Sequence, residues 1–168
     1  NYLTDLTPRL GFPSGNCQIH LYDNLPEVIL AGAEGTLIPI KPRFNFAVEV
    51  LMDHTCPDGD WRALRIPEKV LPWINMTSVA KHNDAYHFVP NDVHDSCVGS
   101  ISGEGDTIEE CMANLMKHVE ALDGQPITVR LDTVKDLLKE VKVAETKGIE
   151  FADASLPDPV EIMENAEA

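Results

Sequence analysis

Basic side chains are scarce in this chain of 168 residues: 13 Lys and Arg stand against 28 Asp and Glu, a formal charge of −15. Such a balance repels phosphodiester backbones and anionic lipid headgroups, so neither a general nucleic-acid binder nor a membrane-surface protein is expected. Long apolar runs are also missing, and nothing approaches the roughly 18 residues needed to span a bilayer. The four cysteines, Cys17, Cys56, Cys97 and Cys111, include no C-x-x-C pair. That spacing excludes a dense disulfide scaffold and points to reduced thiols. No basic-then-apolar leader opens the sequence, and the expectation is a soluble, cytoplasmic protein. No period of 20 to 50 residues repeats, which argues against a solenoid.

What is present suffices for a core. With 43% apolar residues, the chain can form one compact domain, with or without a tail. Residues 15–34 carry Leu21, Leu25, Val28, Ile29 and Ala33 at helical spacing, and Pro26 suits the first turn of a second helix. In residues 44–51, Phe44, Phe46, Val48 and Val50 alternate with Asn45, Ala47, Glu49 and Leu51, the period of a half-buried strand. A turn over residues 54–60 suggests a hairpin partner near residues 61–66. Residues 73–79, 86–89 and 97–101 read as further strands, with polar turns at 81–84 and at Gly103-Glu104-Gly105.

The clearest helical stripe is Ile108, Cys111, Met112, Leu115, Val119 and Leu122. Asp106 with Glu109 three residues on fits a capping box, and Gly124 lies just past the end. Residues 127–131 alternate like an edge strand or a connection. Asp132 is placed to cap a second helix with Val134, Leu137, Leu138, Val141 and Ala144 on one face, ending near Gly148. The predicted fold class is therefore α+β: an antiparallel sheet with packed helices. From residue 152 the chain turns acidic and proline-bearing, and is expected to be a flexible tail.

Histidine and cysteine offer little chemistry. His82, His87, His94 and Cys97 have no compact zinc-ligand spacing, and surface or hydrogen-bonding roles are expected for them. His118 falls beside the apolar stripe and reads as a helix-flank residue. Acids at 104, 106, 109 and 110 would repel phosphate from the glycine-rich turn but suit a helix N-terminus, so no substrate residue is placed there. The tripeptide Asn75-Met76-Thr77 matches a glycosylation sequon, a pattern common by chance.

One segment carries a sharper signal. In an extended Asp5-Leu6-Thr7-Pro8-Arg9, residues 5, 7 and 9 share a face. A carboxylate there can hold Mg²⁺, which prefers hard oxygens, and a guanidinium can bridge the phosphates in its shell. A strand end with solvated Asp and Arg is the plainer reading of these residues alone. Their continuation through Gly11 and Pro13 resembles the C-terminal end of an ATP-grasp active site, whose pattern is acid, any, Asn, any, Arg, any, Gly, any, Pro. Asp5 takes the place of the usual Glu and Thr7 that of Asn. A second stretch, Gly103-Glu-Gly-Asp106-Thr107-Ile108-Glu109-Glu110-Cys111, is similar to a strand-to-helix passage in phosphoribosylamine-glycine ligase and biotin-carboxylase-like members. The matches follow the family order and span roughly residues 1–125.

The resemblance implies the C-terminal portion of an ATP-dependent carboxylate-amine ligase. Asp5 and Thr7 would contact metal, Thr7 and Arg9 the nucleotide, and Arg9 would be the catalytic phosphate clamp. Residues 1–35 would close the catalytic lobe, residues 36–151 would form a C-terminal α+β subdomain, and 152–168 the tail. ATP and Mg²⁺ would serve the intact protein, with none expected to bind tightly to this piece. Its partners would be the remaining N-terminal lobes and small-molecule carboxylate and amine substrates, and a homo-oligomer is left open. Because Asn1 is not an initiator and Tyr2 enters partway along an apparent strand, the chain is expected to be a fragment, inactive alone. The alternative is a non-catalytic acidic α+β module that binds a protein partner.

Overall fold

The structure, a computed structural model, describes Gly11 and residues 14–55, 61–89 and 96–149. Helices α1 (Ser14–Leu21) and α2 (Leu25–Ala33) come first, with Pro26 in the first turn of α2 as its fixed φ favours. Among the described residues seven strands follow: β1 (Phe46–His54), β2 (Ala63–Leu64), β3 (Ile74–Met76), β4 (Val79–His82), β5 (Ala85–Phe88), β6 (Cys97–Gly105) and β7 (Ile127–Val129). Helices α3 (Ile108–Glu120) and α4 (Asp132–Thr146) flank β7 in sequence. The architecture is α+β with two antiparallel sheets, ordered β3-β6-β1-β7 and β2-β5-β4.

The larger sheet has two unlike faces. Directly paired residues of an antiparallel ladder project to the same side, and one row reads Ile74, Ile101 and Val50 across β3, β6 and β1. With Met52 they meet Met112 and Leu115 of α3 in a core that also holds Leu122 and Val134. Ile108 and Val119, two other positions of the helical stripe, pack on its margin. Leu64 and Phe88 of the smaller sheet, with Val70 beside them, join the same core. The opposite face of β6 carries Ser100, Ser102 and Glu104, all 3% exposed or less, opposite Leu51, Glu49 and Ala47 of β1.

Several local expectations change in the structure. Strand β6 runs on to Gly105, so Gly103-Glu104-Gly105 is strand and not a turn. The glycines are there because α3 lies directly on the backbone: a Cβ on Gly103 would sit 2.5 Å from Cys111 O and Leu115 N. Thr107, not Asp106, caps α3; its Oγ1 accepts from Glu110 N at 3.1 Å, while Glu110 Oε2 accepts from Asp106 N at 2.9 Å. The capping box is thus one residue later than its sequence pattern suggested. Asp132 is the first residue of α4, whose cap position is Leu131.

Strand β2 pairs with β5 and not with β1. Residues 73–79 divide, with Trp73 closing a 3₁₀ helix (Glu68–Trp73), then β3, then β4. The β4–β5 turn falls on Asn83 and Asp84, both at positive φ, 47° and 60°, which these residue types tolerate. Edge strand β7 and the glycine ends at Gly124 and Gly148, φ +76° and +80°, lie where the sequence places them.

Candidate functional site

Asp5, Thr7 and Arg9 lie outside the described residues, as do Cys56, His94 and the acidic tail. What the structure does show is the ground on which that motif's continuation rests. Helix α1 sits on the polar face of the larger sheet, and Gly15 N donates to Gly11 O at 2.5 Å where the chain enters it. Cys17 N donates to Glu49 Oε2 at 2.9 Å. The other Glu49 oxygen accepts from the Ser100 hydroxyl, and Asn16 Nδ2 reaches Ser100 Oγ at 3.5 Å. Glu49 is thus held between the helix and the two central strands.

Burial raises the Glu49 pKa, opposed by the hydrogen bonds from Ser100, Cys17 and Asn16. Glu104 is pushed further, to about 7, again by burial, with the Ser102 hydroxyl (3.3 Å) and the charge of Arg43 opposing. Cys17 and Cys111 are raised to about 12 by burial and then by neighbouring charge, from Glu49 for Cys17. Both thiols are therefore protonated at neutral pH and poor nucleophiles. Cys111 Sγ points at Gly103 O, 3.2 Å away.

An aromatic strap closes one side of this face. Trp73 stacks on His118, centroids 5.3 Å apart at 12°, and meets His20 of α1 at 5.6 Å. His118 Nδ1 lies 2.8 Å from Ser102 O, and His20 Nε2 lies 3.3 Å from Asn75 Nδ2. Burial lowers the pKa of both histidines, so both are neutral at pH 7. One ring nitrogen of each is engaged in a polar contact, His118 Nδ1 with Ser102 O and His20 Nε2 with Asn75 Nδ2, which agrees with a helix-flank role for His118. Asn75, the sequon residue, is likewise engaged within the sheet.

Metal ligation is not assembled here: among the described residues no group of three or more His, Cys, Asp or Glu converges. His82 and His87 share a face of the smaller sheet with centroids 6.3 Å apart, and the Cys97 thiol lies 3.8 Å from Gly99 O. No described helix is long and apolar enough to cross a membrane. An open groove of about 710 Å³ lies along α1 and α2, lined by Ile19, Leu25, Ile29 and Leu30 with Asp23 and Arg43 at its edge. Those two edge charges pair at 2.7 Å.

Sequence reasoning missed Glu49 as a half-buried group and Glu104 as a buried one. Glu49 stood in the alternate, outward row of a strand, and Glu104 between two glycines that imitate a turn. The signal available was the run Ser100-Ile-Ser102-Gly-Glu104, in which polar residues recur with period two beside Glu49's own alternation.

The sheet with α1 on its polar face and α3 on its apolar face belongs to an ATP-grasp-related fold. One solved structure that shares it is the crystal structure of phosphoribosylamine-glycine ligase from Thermotoga maritima, 24% identical in sequence with a TM-score of 0.52. The match covers 73% of this chain and 29% of that one, so the chain spans under a third of the ligase's length. No protein-family model matches the chain, and no curated protein matches it significantly.

Proposed function

We propose that this chain is the C-terminal part of an ATP-grasp ligase that joins a carboxylate to an amine, and that it supplies Asp5, Thr7 and Arg9 to a nucleotide site shared with lobes beyond its 168 residues. The observation that supports this most is the fold shared with phosphoribosylamine-glycine ligase, taken with the Asp5 to Pro13 pattern that runs into α1. The donor chemistry agrees: Asp5 and Thr7 offer the hard oxygens Mg²⁺ prefers, and Arg9 offers a planar fork for phosphate. Mg²⁺ would supply charge neutralisation on the phosphates. Arg9 would hold the transferring phosphoryl group in place and balance its growing charge, a positioning and electrostatic role without proton transfer.

Ligase kinetics on the complete gene product test this. Arg9→Ala is expected to lower kcat by about 100-fold with an unchanged unfolding midpoint; unchanged turnover would refute the role.

A second reading, a non-catalytic interaction module, draws on one specific feature. Helix α2 is largely apolar yet has no buried residue, with Ile29 57% and Leu30 62% exposed. An unfilled apolar face of this kind fits a protein contact. The coding sequence upstream of Asn1 separates the two: a glycine-rich phosphate loop, paired lysines and a metal carboxylate favour the ligase, and an open reading frame starting at this point favours the module.

A further inference from the structure

Strands β4 and β5 form a hairpin closed by a two-residue turn at Asn83 and Asp84, both at positive φ, the backbone whose twist matches that of the strands it joins. In the ladder Ala80 pairs with His87 and His82 with Ala85. Directly paired residues, and residues two apart along a strand, project to one side. His82 and His87 therefore stand diagonally on one face, with alanines at the other two corners. Ala63 of β2 pairs with His87 on its other flank. Val79, Tyr86 and Phe88, on the opposite face, are the hairpin residues that meet the core, so core packing does not account for two imidazoles on this side. The rings meet edge to face with centroids 6.3 Å apart at 63°. His87 Nδ1 is buried and has no hydrogen-bond partner among the described residues. A buried polar atom left in that state calls for a physical reason, and a bound ion is one.

We propose that His82 and His87 form a two-point site for a first-row divalent cation that prefers imidazole, with Zn²⁺ as the ion that tests it. Neutral imidazole keeps one ring nitrogen as a lone pair and ligates through it. Zn–N bonds of about 2.0–2.1 Å put two imidazole centroids that share an ion about 5 Å apart at the tetrahedral angle and at most about 6.5 Å apart. The observed spacing is inside that limit, and a closing of about 1 Å reaches the tetrahedral value. His82 is exposed and can supply the movement by rotation of its side chain. Mg²⁺, which seeks hard oxygens, does not suit these donors. Among the described residues no group of three or more His, Cys, Asp or Glu converges, so water completes the shell. The site is open, unlike the closed four-ligand centres that hold small folds together. Its ion cross-links β4 to β5 beside their turn and stiffens the smaller sheet. The inference stands apart from the Asp5 to Arg9 reading and does not depend on it.

Titration of the 168-residue chain with Zn²⁺, followed by NMR at the imidazole signals of His82 and His87, tests the proposal. Both rings are expected to shift with one shared midpoint, and Mg²⁺ is expected to leave them in place. Amide exchange along the β4–β5 ladder is expected to slow by about 100-fold when free Zn²⁺ stands about 100 times above that midpoint, as mass action on the closed hairpin requires. His82→Ala and His87→Ala are each expected to raise the midpoint at the remaining ring by about tenfold or more, because a single imidazole loses the tethered second contact. His82 is exposed, so its variant folds as the wild type does and reads ligation alone. An unchanged midpoint at His87 in His82→Ala overturns the site. So does a shift at only one ring, an equal response to Mg²⁺, or no shift at either ring. Unchanged ladder exchange under saturating Zn²⁺ overturns the cross-link between the strands.

Discussion

Arg130 holds Asp53 by two parallel hydrogen bonds, Nε to Oδ2 at 2.5 Å and Nη2 to Oδ1 at 2.7 Å. The pair joins the chain just beyond β7 to the irregular end of β1, where the β1–β6 register shifts between Met52 and Asp53. Ser96 donates to the same carboxylate at 2.8 Å. The Arg130 hydrogen bond is the main reason the Asp53 pKa is lowered.

Asp53 therefore stabilises the fold only while ionised. A folded-state pKa below the ordinary value near 3.8 means that the contribution is present above that value and lost as pH falls through the folded one. Because Arg130 is 41% exposed, solvent screens the pair, and Arg130→Met is expected to cost about 1 kcal/mol at pH 7. Urea unfolding at pH 7 and pH 3 checks this: the gap between wild type and variant should narrow at the lower pH. A constant gap would show that the charge pair is not its source.

Glu104 has the opposite sign. Its folded pKa, about 7, lies above the unfolded value, so the folded state binds the extra proton and stability falls as pH rises between about 4.5 and 7. Glu104→Gln should remove that slope and raise stability at pH 8 by at most about 3 kcal/mol. Denaturant midpoints at pH 5 and pH 8 decide it. A variant less stable than wild type at pH 8 would mean the carboxylate has a partner that offsets its burial.

Gly103→Ala should be among the most damaging single substitutions in the chain. The added methyl meets backbone atoms of α3 at 2.5 Å, and backbone cannot swing aside as a side-chain end can. Overpacking of this kind costs about 1–3 kcal/mol and occasionally more. Thermal unfolding measures it; a loss below about 0.5 kcal/mol, the usual scale of surface changes, would indicate that α3 lies further from β6 than described.

The cap of α3 can be assigned by two substitutions. Thr107→Ala removes the oxygen that accepts from Glu110 N and should cost about 1 kcal/mol. Asp106→Ala leaves that bond intact and should cost less. The reverse order would restore the cap to Asp106, the residue that the sequence pattern alone selects.

These contrasts show what was legible. Alternation marked β1, and the stripe through Met112 and Leu115 marked the helix and its buried side, because burial on one face imposes a period directly. Partner choice was not legible: β2 is two residues long and carries no signal telling β5 from β1. Gly103 and Gly105 misled because glycine serves both turns and close helix contacts. Glu49 and Glu104 escaped because a carboxylate in a strand is ordinarily a solvated residue; only the tertiary placement of α1 and Ser100 gives Glu49 its partners. The Asp5 to Arg9 motif was legible only as a pattern, and it lies outside the described residues.

Calorimetric titration with Mg·ATP tests the central claim most directly. On the proposed reading, one metal carboxylate and one phosphate arginine would leave the adenine and most of the triphosphate unsupported, whereas tight sites bury most of their ligand. The 168-residue chain alone should bind Mg·ATP no more tightly than about 1 mM, a free energy near −4 kcal/mol. The complete gene product should bind at about micromolar concentration, with Asp5→Asn and Arg9→Ala each weakening it about tenfold or more. Saturable micromolar binding by the 168-residue chain, abolished by Asp5→Asn, would contradict the account by showing a nucleotide site complete without further lobes.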